Sequence, residues 1–257
     1  MLFVTSYALY LDAAGHPSDR PILGTGGFLS TESSWLAFEP AWKDVLKRND
    51  LPEVFHMTDF EYRFKNHPRH WDILRELIDV ISRYALASFS NTVNMEAYRK
   101  INDRYPLEEM FGKPYGISAS AAARLARHWQ GVTNHNGELL VLVEQGTMHE
   151  GDMIECFLRD GLNAPIPVPK DLPAAQAADL FSWERAWYNN TSIRRPSLVY
   201  LKEKMPDGMR GLDGKWEKRS LDQALRKLEM PRREELPEKH SISFHTSPKK
   251  FRKRTIR

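Results

Sequence analysis

The sequence predicts an α/β protein: a mixed sheet of about five strands flanked by helices, followed by a helical or disordered C-terminal extension. Three observations point there. Residues 3–15 and 21–31 are both rich in β-branched and aromatic residues and are joined by the turn-rich "HPSDR", which together read as a hairpin. Segments of helical and of strand character then alternate along the chain. Finally, "ELLVLVEQG" (138–146) is a nearly continuous apolar run closed by glycine, which suits a strand buried on both faces.

The elements follow in order. In the second strand, Gly24, Gly26 and Gly27 leave room for a bulge or a close backbone approach. "TESSWLAFEPAWKDVLKRND" has Ser33 or Ser34 as a cap and places Trp35, Phe38, Trp42, Val45 and Leu46 at helical spacing. Pro40 falls inside that pattern and marks a kink or a helix start. "EVFHMTDF" is short and apolar, a third strand or an extended loop. Residues 71–85 are helical through Leu74, Leu77, Ile78 and Ile81. "LASFSNTVN" reads as a strand, "MEAYRKINDRYP" and "GISASAAARLARHWQG" as helices, and residues 152–160 as another. The proline-rich "NAPIPVPKDLP" has room for a short edge strand. "LPAAQAADLFSWERAWYNN" (172–190) resembles an amphipathic helix, except that Gln176 and Asp179 sit one turn apart among small residues. After residue 195 the pattern weakens to one helix, 220–229. The expected division is therefore a domain over 1–195 and an extension over 196–257.

Composition narrows the class. No run of about 18 apolar residues exists, so no membrane partner is expected. The start lacks the basic and small-residue flanks of a leader, and a cytoplasmic location is expected. A single cysteine, Cys156, excludes an internal disulfide framework. Residues 231–257 carry nine Lys or Arg against three Glu, leaving 28 basic against 31 acidic elsewhere. A near-neutral body with a basic tail is either an electrostatic footprint for nucleic acid or simply a solvated terminus.

Most catalytic motifs are missing. "GTGGFLS" lacks the lysine of a phosphate loop, there is no nucleophile-elbow serine, and no Cys or His spacing suggests structural zinc. Acidic residues instead lie at the ends of apolar strands. Asp12 follows "YALYL", Glu144 ends "LLVLV", and Asp179 sits beside Gln176. Burying carboxylates is costly without a cation or hydrogen bonds, and convergence would raise their pKa values. Hard divalent cations such as Mg²⁺ or Mn²⁺ resolve that conflict with oxygen ligands. Each residue also has a plainer role: Asp12 as a turn cap, Glu144 paired with a Lys or Arg, Asp179 in solvent. His56 and Asp59 share a face if their segment is helical and oppose each other if it is extended. His56 is a candidate base or ligand, or a loop histidine bonded to backbone.

The order "LYLDAAG … GTGGFLSTESSWLAFEPAWKDVL … VFHMTDF … LLVLVEQG … LPAAQAADLFSWE" resembles the bacterial domain-of-unknown-function family numbered 3800, over about residues 7–188. That family looks like a divergent branch of the ribonuclease-H-like superfamily. The resemblance implies a mixed five-stranded sheet and a site of carboxylates from the first strand, the fourth strand and a late helix, matched in chain order by Asp12, Glu144 and Asp179. It also implies a metal-dependent nuclease that cuts phosphodiester bonds of RNA or DNA by two-metal logic. Asp12 would bridge two ions, and His56 and Asp59 would shuttle a proton or line the groove. Gln176 would orient Asp179 or touch substrate, and Arg194 and Arg195 would hold phosphates. One departure stands out: Ala13 occupies the place where the family usually has Glu. The alternative is a catalytically inactive nucleic-acid-binding or defence-system module of the same fold.

Overall fold

The computed structural model describes residues 5–15, 21–145, 150–205 and 212–216, together with 232 and 234. The predicted turn at 16–20, the predicted helix at 220–229 and nearly all of the basic tail lie outside the described residues.

Six strands among the described residues form one mixed sheet, in the order β5-β4-β1-β2-β3-β6. β1 (Ser6–Ala14) pairs antiparallel with β2 (Ile22–Thr31), and β2 pairs antiparallel with β3 (Ala87–Asn94). On the other side β1 runs parallel to β4 (Glu138–Glu144), which runs parallel to the short β5 (Ile166–Val168). β6 (Leu212–Trp216) extends the far edge, parallel to β3. The β1–β2 register is unbroken from Tyr7–Thr31 to Ala14–Gly24, so the glycines make no bulge. They allow close approach instead: a Cβ on Gly27 would lie 1.7 Å from the Tyr10 carbonyl oxygen.

Alternation of side chains along β1 assigns the two faces. Tyr7, Leu9 and Leu11 belong to a core with Phe89, Val141 and Val143, covered by α6 (Pro114–Val132) and α7 (Glu150–Arg159). Ala8 and Tyr10 point to the opposite core, covered by α1 (Glu32–Arg48), α2 (Met57–Phe64), α3 (His70–Tyr84), α8 (Pro173–Thr191) and α9 (Pro196–Lys204). Asp12 continues that second row, so it faces α8. A smaller cluster joins Leu23 and Val93 to α4 (Met95–Asn102) and α5 (Leu107–Phe111).

Several expectations need correction. α1 is capped by Thr31, whose hydroxyl accepts the Ser34 N–H, not by Ser33 or Ser34. The helix runs through Pro40 without ending. Proline forfeits the bond to the carbonyl of Leu36, a residue on the exposed face of the helix at 66% exposure, where the loss costs least. β4 is not buried on both faces. Val141 and Val143 are buried, but Leu140 and Leu142 are only half-buried, because α8 lies across β1 and β2 and leaves β4 at its margin. "EVFHMTDF" is neither strand nor wholly loop, since its second half opens α2. Residues 196–205, placed by the sequence in the extension, supply Leu198, Leu201 and Met205 to the second core.

α8 departs most from expectation. It is not amphipathic: from Pro173 to Ala186 only Trp183 escapes full burial. It is wedged between the sheet and α1, α2 and α9. Ala174, Ala175, Ala177 and Ala178 keep it thin enough to fit.

Candidate active site

The β1–β4 register runs to Leu11–Val143, so the next residues along, Asp12 and Glu144, stand side by side, Asp12 still paired with β2 and Glu144 with β5. Both follow the row that faces α8. Asp179 comes from α8 itself, through the same layer. Three carboxylates, from β1, the end of β4 and α8, are thereby brought to one end of the sheet.

Asp12 is 8% exposed and Asp179 is 9% exposed. The hydroxyl of Ser182 donates to Asp12 Oδ2 at 2.7 Å. The backbone N–H of Met57, in the first turn of α2, donates to Asp179 Oδ2 at 2.6 Å. The positive end of that helix adds to the hold on a negative oxygen. These bonds do not offset burial. Desolvation first, and then the charge of Asp179, push the Asp12 carboxyl up to about 8. Desolvation, with the nearby Glu144 charge, pushes Asp179 up to about 7. The two buried carboxyls titrate as a coupled pair, both pushed up.

Gly26, paired with Asp12 across the hairpin, makes the Ser182 bond possible. A Cβ there would lie 3.1 Å from Phe181 Cδ1 and 3.3 Å from Ser182 Cα. Phe181 is itself packed on Phe28, and α8 is wedged on its other sides, so neither neighbour has room to give. Gly26→Ala is expected to cost about 1–3 kcal/mol in urea unfolding, despite the usual gain from replacing glycine in a strand. An unchanged midpoint would show that α8 moves more freely than its packing implies.

Glu144 takes the plainer of its two sequence roles in part. Its Oε1 lies 2.5 Å from the Lys170 ammonium, just beyond β5. His56 caps α2 with its backbone; its Nε2 is 3.6 Å from Asp179 Oδ1 and its Nδ1 is 3.9 Å from Asp59 Oδ2. The helical alternative therefore holds for this pair, and both side chains line the outer edge of the carboxylates.

Gln176 is too buried to touch substrate and acts on Asp179 only through a loop, and Arg195 is turned inward. Gln176 is 2% exposed and touches neither Asp179 nor the surface. Its oxygen accepts from Trp42 Nε1 at 2.9 Å and from the Phe55 N–H at 3.0 Å, while its amide donates to the Glu53 and Asp171 carbonyls. It pins the 53–55 loop, and through it the Met57 amide that Asp179 receives. Arg195 is committed to internal carboxylates: it donates to Glu61 at 2.5 and 3.1 Å, and its Nε lies 3.1 Å from Glu184 Oε1 without hydrogen-bond alignment. It stacks over Trp183, 4.8 Å from the ring centre. Such a guanidinium is not free for phosphate. Arg194 is exposed, beside the Tyr188 ring.

Ala13 lies on the sheet face away from Asp12, paired with Thr25, whose hydroxyl meets Ser118 of α6. A glutamate there would not join the carboxylate group directly. Ser182, Lys170 and the Met57 amide escaped the sequence reading. Ser182 had a signal, since it stands three residues after Asp179 and so on the same helix face.

The donor chemistry of Asp12 and Asp179 suits a hard divalent cation: two buried, mutually repelling carboxylates, each bonded at one oxygen. The third ligand does not close the set. Among the described residues, no three His, Cys, Asp or Glu side chains stand together as a metal site. Also among the described residues, no helix is long and apolar enough to cross a membrane. No family model matches the chain, and no curated protein matches it.

Proposed function

We propose that this protein is a divergent ribonuclease-H-like, divalent-cation-dependent hydrolase of nucleic-acid phosphodiester bonds, with Asp12 and Asp179 at its centre and Glu144 beside them. One observation carries the reading. Strands β1 to β5 run in the order 3-2-1-4-5 with β1 antiparallel to β2 and parallel to β4, and β1, the end of β4 and the late helix each contribute a carboxylate at the same end of the sheet. Fold likeness alone does not establish activity, so the chemistry of the carboxylates has to support it. Their raised pKa values support a cation there, because burial and repulsion outweigh the Lys170 charge and the hydrogen bonds that favour the ionised pair.

When bound, Mg²⁺ or Mn²⁺ would supply Lewis acidity and a more acidic water. The residues of the chain do the placing. Ser182 fixes the Asp12 carboxylate, and the Met57 amide fixes that of Asp179. His56, on the open side of Asp179, is placed to take or return a proton at Nε2. Asp59, beside His56, would border the substrate; exposed Arg194, beyond the C-terminal end of α8, would reach only phosphates remote from the carboxylates.

A second reading, a binding module without catalysis, draws on the unclosed ligand set. Labelled RNA, single-stranded DNA and duplex DNA incubated with Mg²⁺ or Mn²⁺ separate the two. Cation-dependent cutting by the natural protein, reduced at least about a hundredfold in Asp12→Asn, is the expected result. Binding without cutting supports the module. Neither cutting nor binding overturns both readings.

A further inference from the structure

Lys170 is the one element of this carboxylate group that no catalytic reading requires. It stands two residues past Val168, and the β4–β5 register pairs Val168 with Glu144. The parallel edge strand therefore delivers an ammonium to the end of β4, where Nζ meets Glu144 Oε1 at 2.5 Å. Its side chain is 62% exposed while that of Glu144 is 15% exposed, so the lysine reaches in from solvent over the mouth of the group. The attraction extends beyond one partner, because the fields of Asp12 and Asp179 also act on Lys170. Lys170 in turn eases the ionisation of Asp179. A flexible ammonium with three donors is the side chain best able to stand near several carboxylates and still withdraw.

We infer that Lys170 is a tethered counter-cation that competes with a divalent ion for the carboxylates of Asp12, Glu144 and Asp179, giving up Glu144 when the ion binds. The inference rests on the cation-site reading proposed above, and it accounts for why three acidic residues converge without closing. Glu144 is drawn aside by a charge that belongs to the chain. Two cations cannot share the same oxygens without mutual repulsion, so each must weaken the other. The tether makes the lysine a local competitor of fixed effective concentration, which raises the apparent dissociation constant of the divalent ion by a constant factor.

The test is a Mn²⁺ titration followed by the electron paramagnetic resonance of the free ion. Natural protein, Lys170→Met, Lys170→Arg and Asp12→Asn are compared at pH 7.5. Lys170→Met is expected to bind Mn²⁺ about tenfold more tightly than the natural protein, with Lys170→Arg close to the natural value. A second readout needs no variant: acylation of Lys170 in the natural protein, read by mass spectrometry, is expected to speed up when Mn²⁺ is added. Equal affinities for the natural protein and Lys170→Met, with binding lost in Asp12→Asn, overturn the lysine's role and leave the cation site standing. Acylation unchanged by saturating Mn²⁺ also overturns it. Absence of Mn²⁺ binding in every variant overturns the cation site, and the lysine's role with it.

Discussion

Stripped of divalent cations, the protein is expected to lose stability steadily as pH rises from about 4 to about 8, by several kcal/mol in all. The direction follows from the two aspartates. In the unfolded chain both titrate near 3.8; in the fold, burial and repulsion move Asp179 to about 7 and Asp12 to about 8. Between those limits the folded state holds more protons than the unfolded state, so raising pH favours unfolding. Below the lower limit both states are protonated and the difference vanishes. Above the upper limit the loss is complete and no longer grows. Thermal melts across this range in chelator check it. Asp12→Asn is expected to match the natural protein at pH 4 and to exceed it at pH 8, since an amide keeps the Ser182 bond and carries no charge. Adding Mn²⁺ at pH 8 is expected to recover much of the loss in the natural protein and little in the variant. Parallel profiles for the two proteins would mean that Asp12 is already compensated.

Gln176→Leu is expected to cost about 2–6 kcal/mol, a large share of the roughly 5–15 kcal/mol that a domain possesses. Leucine has nearly the same volume, so packing is not the reason. Trp42 Nε1 and the Phe55 N–H both donate to the Gln176 oxygen, and both residues are buried. Each would lose its acceptor where water cannot replace it, at about 1–3 kcal/mol apiece. The carbonyls of Glu53 and Asp171 belong to exposed residues and lose less. The damage also reaches the site. With the 53–55 loop unpinned, the Met57 amide drifts from Asp179, which then holds its proton to still higher pH. Urea unfolding with an unchanged slope, together with faster hydrogen exchange at Phe55, checks both parts. A cost under about 0.5 kcal/mol would show that the loop is held by the edge-to-face packing of Trp42 and Phe55 instead.

The same glutamine shows how far the sequence can be read. Its position beside Asp179 on a small-residue helix drew notice correctly, because an amide among alanines needs a partner. The partner was invisible, since it comes from a loop more than a hundred residues earlier. The strand segments were legible from their composition, and β1, β2, β3, β4 and β5 lie within them. The helix 172–190 was legible as a helix but not as a buried one: alanine fits a thin packed helix and an exposed helix equally well. Glu144 was legible as a strand-end acid; Asp12 is instead buried two residues short of the end of β1, and the parallel register sets it beside Glu144. Arg195 read as a phosphate contact because two adjacent arginines in a polar segment look solvated. Its carboxylate partners, Glu61 and Glu184, lie on other helices, and only their packing turns the guanidinium inward. Lys170 had no signal at all. A lysine in a proline-rich edge segment is ordinary until β5 is seen to pair with β4.

The most direct measurement is anomalous diffraction from crystals grown or soaked with Mn²⁺ near pH 8. The expected result is a manganese peak at oxygen-ligand distance, about 2.0–2.5 Å, from both Asp12 and Asp179, with Glu144 turned toward it and Lys170 released. Asp12 and Asp179 left without a peak at saturating Mn²⁺, with Lys170 still on Glu144, would contradict a shared cation site.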